Sequence, residues 1–160
     1  MKKFAFEIKW AFRYIFAYLL WICIEKYFGY YDHNISKYFL YSMLFNFVMI
    51  YIYILAIRDK KKKYFNNVMH WRQGATSAVA LSVIIAILMP FCQVLIHRGI
   101  APELFPNMIE YRVSKGGDLA TAEAFFNLKS YIFQSVFNVL SYGVVVGAVI
   151  SLMLQTKSKK

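Results

Sequence analysis

The sequence predicts an all-α, polytopic membrane protein: four transmembrane helices plus a short amphipathic helix in the outer loop between the third and fourth. Three observations lead there. Hydrophobic residues make up 60% of the 160-residue chain and mean hydropathy is +0.46, whereas a soluble domain is about 45–50% apolar. Apolar runs recur at the length needed to cross lipid, about 20 residues. The net charge of +11 falls on one side of the topology that those runs define. Residues 1–160 read as one domain, ending in a basic tail at 157–160.

The first span is expected at about 10–28 and contains "YIFAYLLWICI". Its uncharged core has signal-peptide length, but Glu7, Lys9 and Arg13 interrupt the front and no small-x-small cleavage site follows. The aromatic "KYFGYY" follows instead. Tyrosine and tryptophan favour the membrane–water boundary, so a retained helix is expected, with Arg13 snorkelling to nearby headgroups. The second span is expected at 38–57. Directly after it stands "RDKKKKYF", in which Arg58, Lys60, Lys61, Lys62 and Lys63 crowd together. The third span is expected at 74–96 and the fourth at 130–154. Pro90 is expected to kink the third, because proline removes a backbone bond and crowds the preceding turn.

Four spans place both termini on one side. That side carries Lys2, Lys3, Lys9 and Arg13, then Arg58, Lys60, Lys61, Lys62, Lys63 and Arg72, then Lys157, Lys159 and Lys160, against Glu7 and Asp59. On the other side Lys26, Lys37, Arg98, Arg112, Lys115 and Lys129 balance Glu25, Asp32, Glu103, Glu110, Asp118 and Glu123. Enrichment of Lys and Arg in short loops marks the cytoplasmic face, so the chain reads as a bacterial inner-membrane protein with cytoplasmic termini. Arg58, Lys60, Lys61, Lys62 and Lys63 are then a stop signal and a contact for anionic lipid. Nucleic acid is not an expected partner, since the loop 58–73 is too short to fold a basic module.

The outer stretch "HRGIAPELFPNMIEYRVSKGGDLATAEAFFNLK" is patterned. Leu104, Phe105, Met108 and Ile109 recur at helical spacing, which predicts an amphipathic helix on the outer leaflet covering its own bundle, or alternatively a lid. Pro102 suits the first turn of that helix. Gly116 and Gly117 end it, and Asp118 or Thr121 caps the next, which is expected to begin near Thr121 and rise into the fourth span.

Hydrophobicity cannot bring helices together in lipid, but close backbone approach at small residues can. Gly74, Ala78, Ser82 and Ala86 repeat every fourth position in span three; Gly143, Gly147 and Ser151 do so in span four. These stripes are expected to be seams, either between the two spans or toward a second copy or another membrane protein. Four amides, Asn46, Gln93, Gln134 and Asn138, fall in the outer half of the spans. Amides in hydrocarbon need partners, so they are expected to face inward as interhelical glue or as a polar crevice for a small ligand. Cys23 and Cys92 read as two buried thiols.

His33, His97 and outer carboxylates could in principle bind a metal, yet no paired-ligand spacing supports it. No metal, cofactor or catalytic residue is expected, and no span interior carries the buried acid that an ion path needs. "EKYFGYYDHNISKY", "ILAIRDKKKKYF", "HWRQGATSA", "FCQVLIHRGIAPELFPNMIEY" and "AEAFFNLKSYIFQS" together resemble a bacterial inner-membrane family known as domain of unknown function 4199. The resemblance implies a four-helix integral membrane protein and brings no catalytic residues with it. The leading functional expectation is a non-enzymatic interaction or scaffold subunit. The alternatives are a small-molecule or lipid-handling protein using the outer polar crevice, and a metal-dependent membrane enzyme.

Overall fold

In the computed structural model, which describes residues 4–156, the described chain is helical throughout: α1 (Ala5–Tyr27), α2 (Tyr38–Tyr64), α3 (Trp71–Leu95), α4 (Leu104–Ser114), α5 (Leu119–Phe125) and α6 (Leu128–Leu154). The expected tail at 157–160, and Lys2 and Lys3, lie outside the described residues. Three helical stretches are long and apolar enough to cross a membrane: Ile35–Tyr64, Trp71–Ile100 and Leu128–Leu154. α1 has the length, but Glu7, Lys9, Arg13, Glu25 and Lys26 break its apolar run.

Several boundaries differ from expectation, each for a local reason. α2 does not stop at residue 57 but continues through the basic block to Tyr64. Lysine and arginine are good helix formers, and cations at a helix C-terminus complement its dipole. The chain then reverses at Asn66 and Asn67, both at positive φ (46° and 65°), a conformation that asparagine tolerates better than most residues. α3 runs through Pro90 and ends in a π-helical turn, Ile96–Ile100. The helix that carries the fourth span does not run on continuously from near Thr121. Asp118 caps the short α5 by accepting from the Thr121 backbone N–H at 2.8 Å. The helix then breaks, and Asn127 caps a new one, α6, by accepting from Ser130 N at 2.9 Å.

The small-residue stripes of α3 and α6 pair with each other inside the chain. A Cβ added at Gly74 would lie 2.8 Å from Ser151 Oγ; one at Gly147 would collide with Ala78 Cβ, and one at Gly143 with Ser82 Oγ and Tyr53 OH. These pairs advance by four residues on each helix in opposite directions, so α3 and α6 close as an antiparallel zipper. Ser82 and Ser151 each donate to their own helix, to Ala78 O and Gly147 O. Because the single Ser82 proton is thus committed, the 2.8 Å contact with Tyr53 is made by the Tyr53 hydroxyl donating to Ser82 Oγ. Tyr53 thereby ties α2 into the seam.

α1 and α2 complete the bundle. Trp10, Ala11 and Tyr14 of α1 pack with Phe45, Met49, Tyr53 and Ile57 of α2 and with Leu81, Ile85 and Met89 of α3. Phe12, Phe16 and Leu20 form the outward face of α1. Cys23 also points outward, contrary to expectation, because it follows that same face; Cys92 is buried.

Candidate functional site

The groups that cost most to bury sit at the two ends of α1. Glu25 is 2% exposed and Glu7 is 3% exposed. An unpaired ionised carboxylate away from water costs far more than an apolar side chain gains, so each must find partners.

At the C-terminal end of α1, Glu25 is held, among the described residues, by neutral donors only. Its Oε1 accepts from Trp21 Nε1 and from Ser42 Oγ, both at 2.8 Å, and its Oε2 accepts from the Tyr31 hydroxyl at 2.8 Å. Trp21 comes from the preceding turn of α1, Ser42 from α2, and Tyr31 from the connection between them. Burial, and then the nearby Glu25 charge, push the Tyr31 hydroxyl well above its ordinary range, which keeps it a donor.

A roof covers this end. The Lys26 ammonium pairs with Glu103 at 2.9 Å and also donates to Ile100 O. Burial would raise the Glu103 carboxyl, but the Lys26 hydrogen bond and charge outweigh it and hold it below its usual value. On α4, Asn107 Nδ2 donates to Tyr31 O at 2.7 Å and to Asp32 Oδ1 at 2.9 Å. α4 is therefore tied down over its own bundle. Leu104 is its one buried residue; Phe105, Met108 and Ile109 are half-buried.

Beneath the roof runs a second polar chain. Gln93 Nε2 donates to Tyr18 OH at 3.2 Å, which leaves Gln93 Oε1 as acceptor for His97 Nε2 at 3.1 Å. In that arrangement His97 Nδ1 carries the lone pair, and it is buried with no partner among the described residues. Phe105 stacks on the imidazole at 3.9 Å and Tyr131 meets it edge-on at 5.3 Å.

At the N-terminal end of α1, Glu7 Oε1 accepts from Lys60 Nζ and from Ser77 Oγ, both at 2.7 Å. The Lys60 ammonium also lies over the rings of Phe6 and Tyr64, at 5.0 and 4.5 Å. Glu7 Oε2 is buried without a partner among the described residues.

The expected site residues divide. Of the four amides, Gln93 alone is buried and bonded to another helix. Asn46 donates to Met43 O of its own helix, Gln134 is half-buried, and Asn138 is exposed on the outer face of α6. The amides thus do not converge on one crevice, because Asn138 lies on the opposite side of α6 from the Gly143–Gly147 stripe. The basic block also divides. Lys60 turns inward to Glu7, Lys61 donates to Leu154 O at 2.7 Å, and Lys63 pairs with Asp59 at 2.9 Å. A helical block must put some side chains on the inner face. Lys60 therefore leaves the set available to headgroups. His33 is exposed while His97 is buried, and among the described residues no three His, Cys, Asp or Glu side chains gather into a metal site.

Sequence reasoning missed Glu7 and Glu25, which look like ordinary flanking charges. The spacing of Trp21 and Glu25, four residues apart on one helical face, is the local signal that could have found the second.

Residues 9–156 match the family described as protein of unknown function DUF4199. The chain belongs to the DUF4199 family. No match was found among curated proteins or among solved structures. The match covers both buried-carboxylate clusters except Phe6 and Glu7, which precede it. For this DUF4199 chain the fold is all-helical, with apolar helices suited to a membrane.

Proposed function

We propose that this DUF4199 protein spans the bacterial cytoplasmic membrane four times, with both termini cytoplasmic, and acts there as a non-enzymatic interaction subunit. What carries this reading is the way the buried carboxylates are held. Glu7 and Glu25 are each gripped by fixed partners from other elements, so they serve as struts between helices. The same geometry supports α1 as the fourth span. Apart from Arg13, which stands more than two turns in, its charges lie near its ends, and its two acids turn into protein rather than lipid.

The small-residue seams are occupied within the chain. Partner contact is therefore assigned to an outward face; α1 and α2, with Phe12, Phe16, Phe39 and Phe47 exposed, are tested first, although α3 and α6 also expose Phe91, Phe133 and Phe137. The test is affinity purification from membranes in native lipid, with mass spectrometry. A membrane protein recovered in stoichiometric amount, and lost on Phe16→Ala with Phe47→Ala, is expected. Recovery of the chain alone counts against the interaction role. Reporter fusions check the topology separately: fusions at Lys61 and Gly116 should report opposite compartments.

The second reading is a small-molecule or lipid-handling protein using the outer half of the bundle. The unpartnered His97 Nδ1 between Gln93, Phe105 and Tyr131 favours it. On this reading Gln93→Leu abolishes ligand binding without loss of fold.

A further inference from the structure

We propose that the basic end of the bundle holds a binding site for the headgroup of an anionic phospholipid. An open groove of about 610 Å³ lies where the early turns of α1 meet the ends of α2 and α6; Arg13, Arg58, Lys61, Lys62 and Lys63 line it, and Asp59 is its one acid among the described residues. That acid is already engaged, by Lys63 at 2.9 Å and by Trp10 Nε1 at 3.4 Å. Among the described residues no carboxylate pairs with Arg13, Arg58 or Lys62. The wall therefore keeps an excess of positive charge around a space large enough for a phosphodiester headgroup.

The cations are placed by the fold. The Arg13 guanidinium lies over the Trp10 ring, 4.4 Å from its centroid. Lys61 is drawn to Leu154 O at the end of α6 and keeps two further N–H donors. Arg58, Lys62 and Lys63 follow along the last turns of α2. Three helices contribute, so the site exists only in the folded bundle, unlike a linear run of lysines acting on a surface potential. Leu55 and Leu154 supply apolar wall beside the charges, as an acyl-glycerol end requires. The ligand chemistry is a phosphate anion with an apolar tail. A lipid is its source because the groove opens at the ends of the apolar helices, where headgroups lie.

The proposal rests on the membrane reading, and the two fail differently. Recovery of the chain from cells without detergent overturns the membrane reading. For the site, native mass spectrometry of the detergent-purified chain is run with phosphatidylglycerol and phosphatidylcholine of equal chain length. Phosphatidylglycerol is expected to be retained and to raise the thermal unfolding temperature; phosphatidylcholine is not. Arg13→Gln with Arg58→Gln should weaken phosphatidylglycerol retention about tenfold or more, while Lys115→Gln at the far end leaves it unchanged. The unfolding temperature without lipid shows whether the double variant folds; if it does not, the exposed Arg58→Gln alone carries the test with a smaller loss. Equal retention of the two lipids by the native chain, or unchanged retention by the folded variant, overturns the site. Competition by soluble glycerol phosphate at the same concentration overturns the lipid as its occupant.

Discussion

Gly147 of α6 lies directly against Ala78 of α3, so close that a methyl group on the glycine would collide with the alanine methyl. The alanine Cβ belongs to a rigid backbone position and cannot swing away as a long side chain would. Gly147→Ala should therefore destabilise the bundle, by about 1–3 kcal/mol as overpacking typically does. Combining it with Ala78→Gly exchanges the two side chains across the seam and should restore most of the loss. Thermal unfolding in detergent of both single variants and the double measures the coupling. Additive effects would show that the two positions do not touch.

Because the seam is internal, Gly143→Leu should lower stability without altering the size of the particle. A Cβ at Gly143 meets Ser82 and Tyr53 of the same chain. Size-exclusion chromatography with light scattering, alongside unfolding, separates this from a seam between copies, for which the particle would become smaller.

Lys60 and Lys62 are neighbours in sequence and differ in environment. Lys60→Met leaves Glu7 buried without its cation, a change that costs about 3–5 kcal/mol when one partner of a buried pair is removed. Lys62→Met, on the exposed side, should cost little in lipid-free detergent. Similar losses for the two would count against the inward turn of Lys60. Glu25→Ala should likewise exceed Trp21→Phe or Ser42→Ala, since it strands three donors at once, each worth about 1–3 kcal/mol when buried and unmade.

The roof formed by α4 and the Lys26–Glu103 pair should loosen in acid. Glu103 has its folded carboxyl pKa below the unfolded value, so its pair with Lys26 contributes stability above the unfolded carboxylate pKa. That contribution fades as pH falls through the folded value. Both side chains are partly exposed, 43% for Lys26 and 28% for Glu103, so solvent screening limits the effect to under about 1 kcal/mol. Amide hydrogen exchange in α4 should rise on acidification beyond the intrinsic pH trend, and Lys26→Gln should remove that extra rise.

Much of the fold is written locally. Apolar runs mark the helices, spacing by four marks Gly74, Ala78 and Ser82 as one stripe and Gly143, Gly147 and Ser151 as another, and Asp118 is recognisable as a cap from its place after two glycines. The break at Asn127 is visible only in hindsight, as an amide able to cap a second start. The candidate site was less legible. Glu7 stands between Phe6 and Ile8, but Lys3 and Lys9 lie close by, so it reads as one of the charges that flank a helix end.

The amino-acid pattern was sufficient to establish a helical chain suited to lipid, its clustered positive charge and its family resemblance, because hydropathy and spacing are properties of short windows. Folding in three dimensions settled which stripe meets which, that Lys60 faces inward, and that two acids are buried. Their partners stand 17 residues away in the chain for Ser42 and Glu25, 53 for Lys60 and Glu7, and 70 for Ser77 and Glu7. A carboxylate's environment is made by whatever donors the bundle brings to it, and no window of sequence contains them.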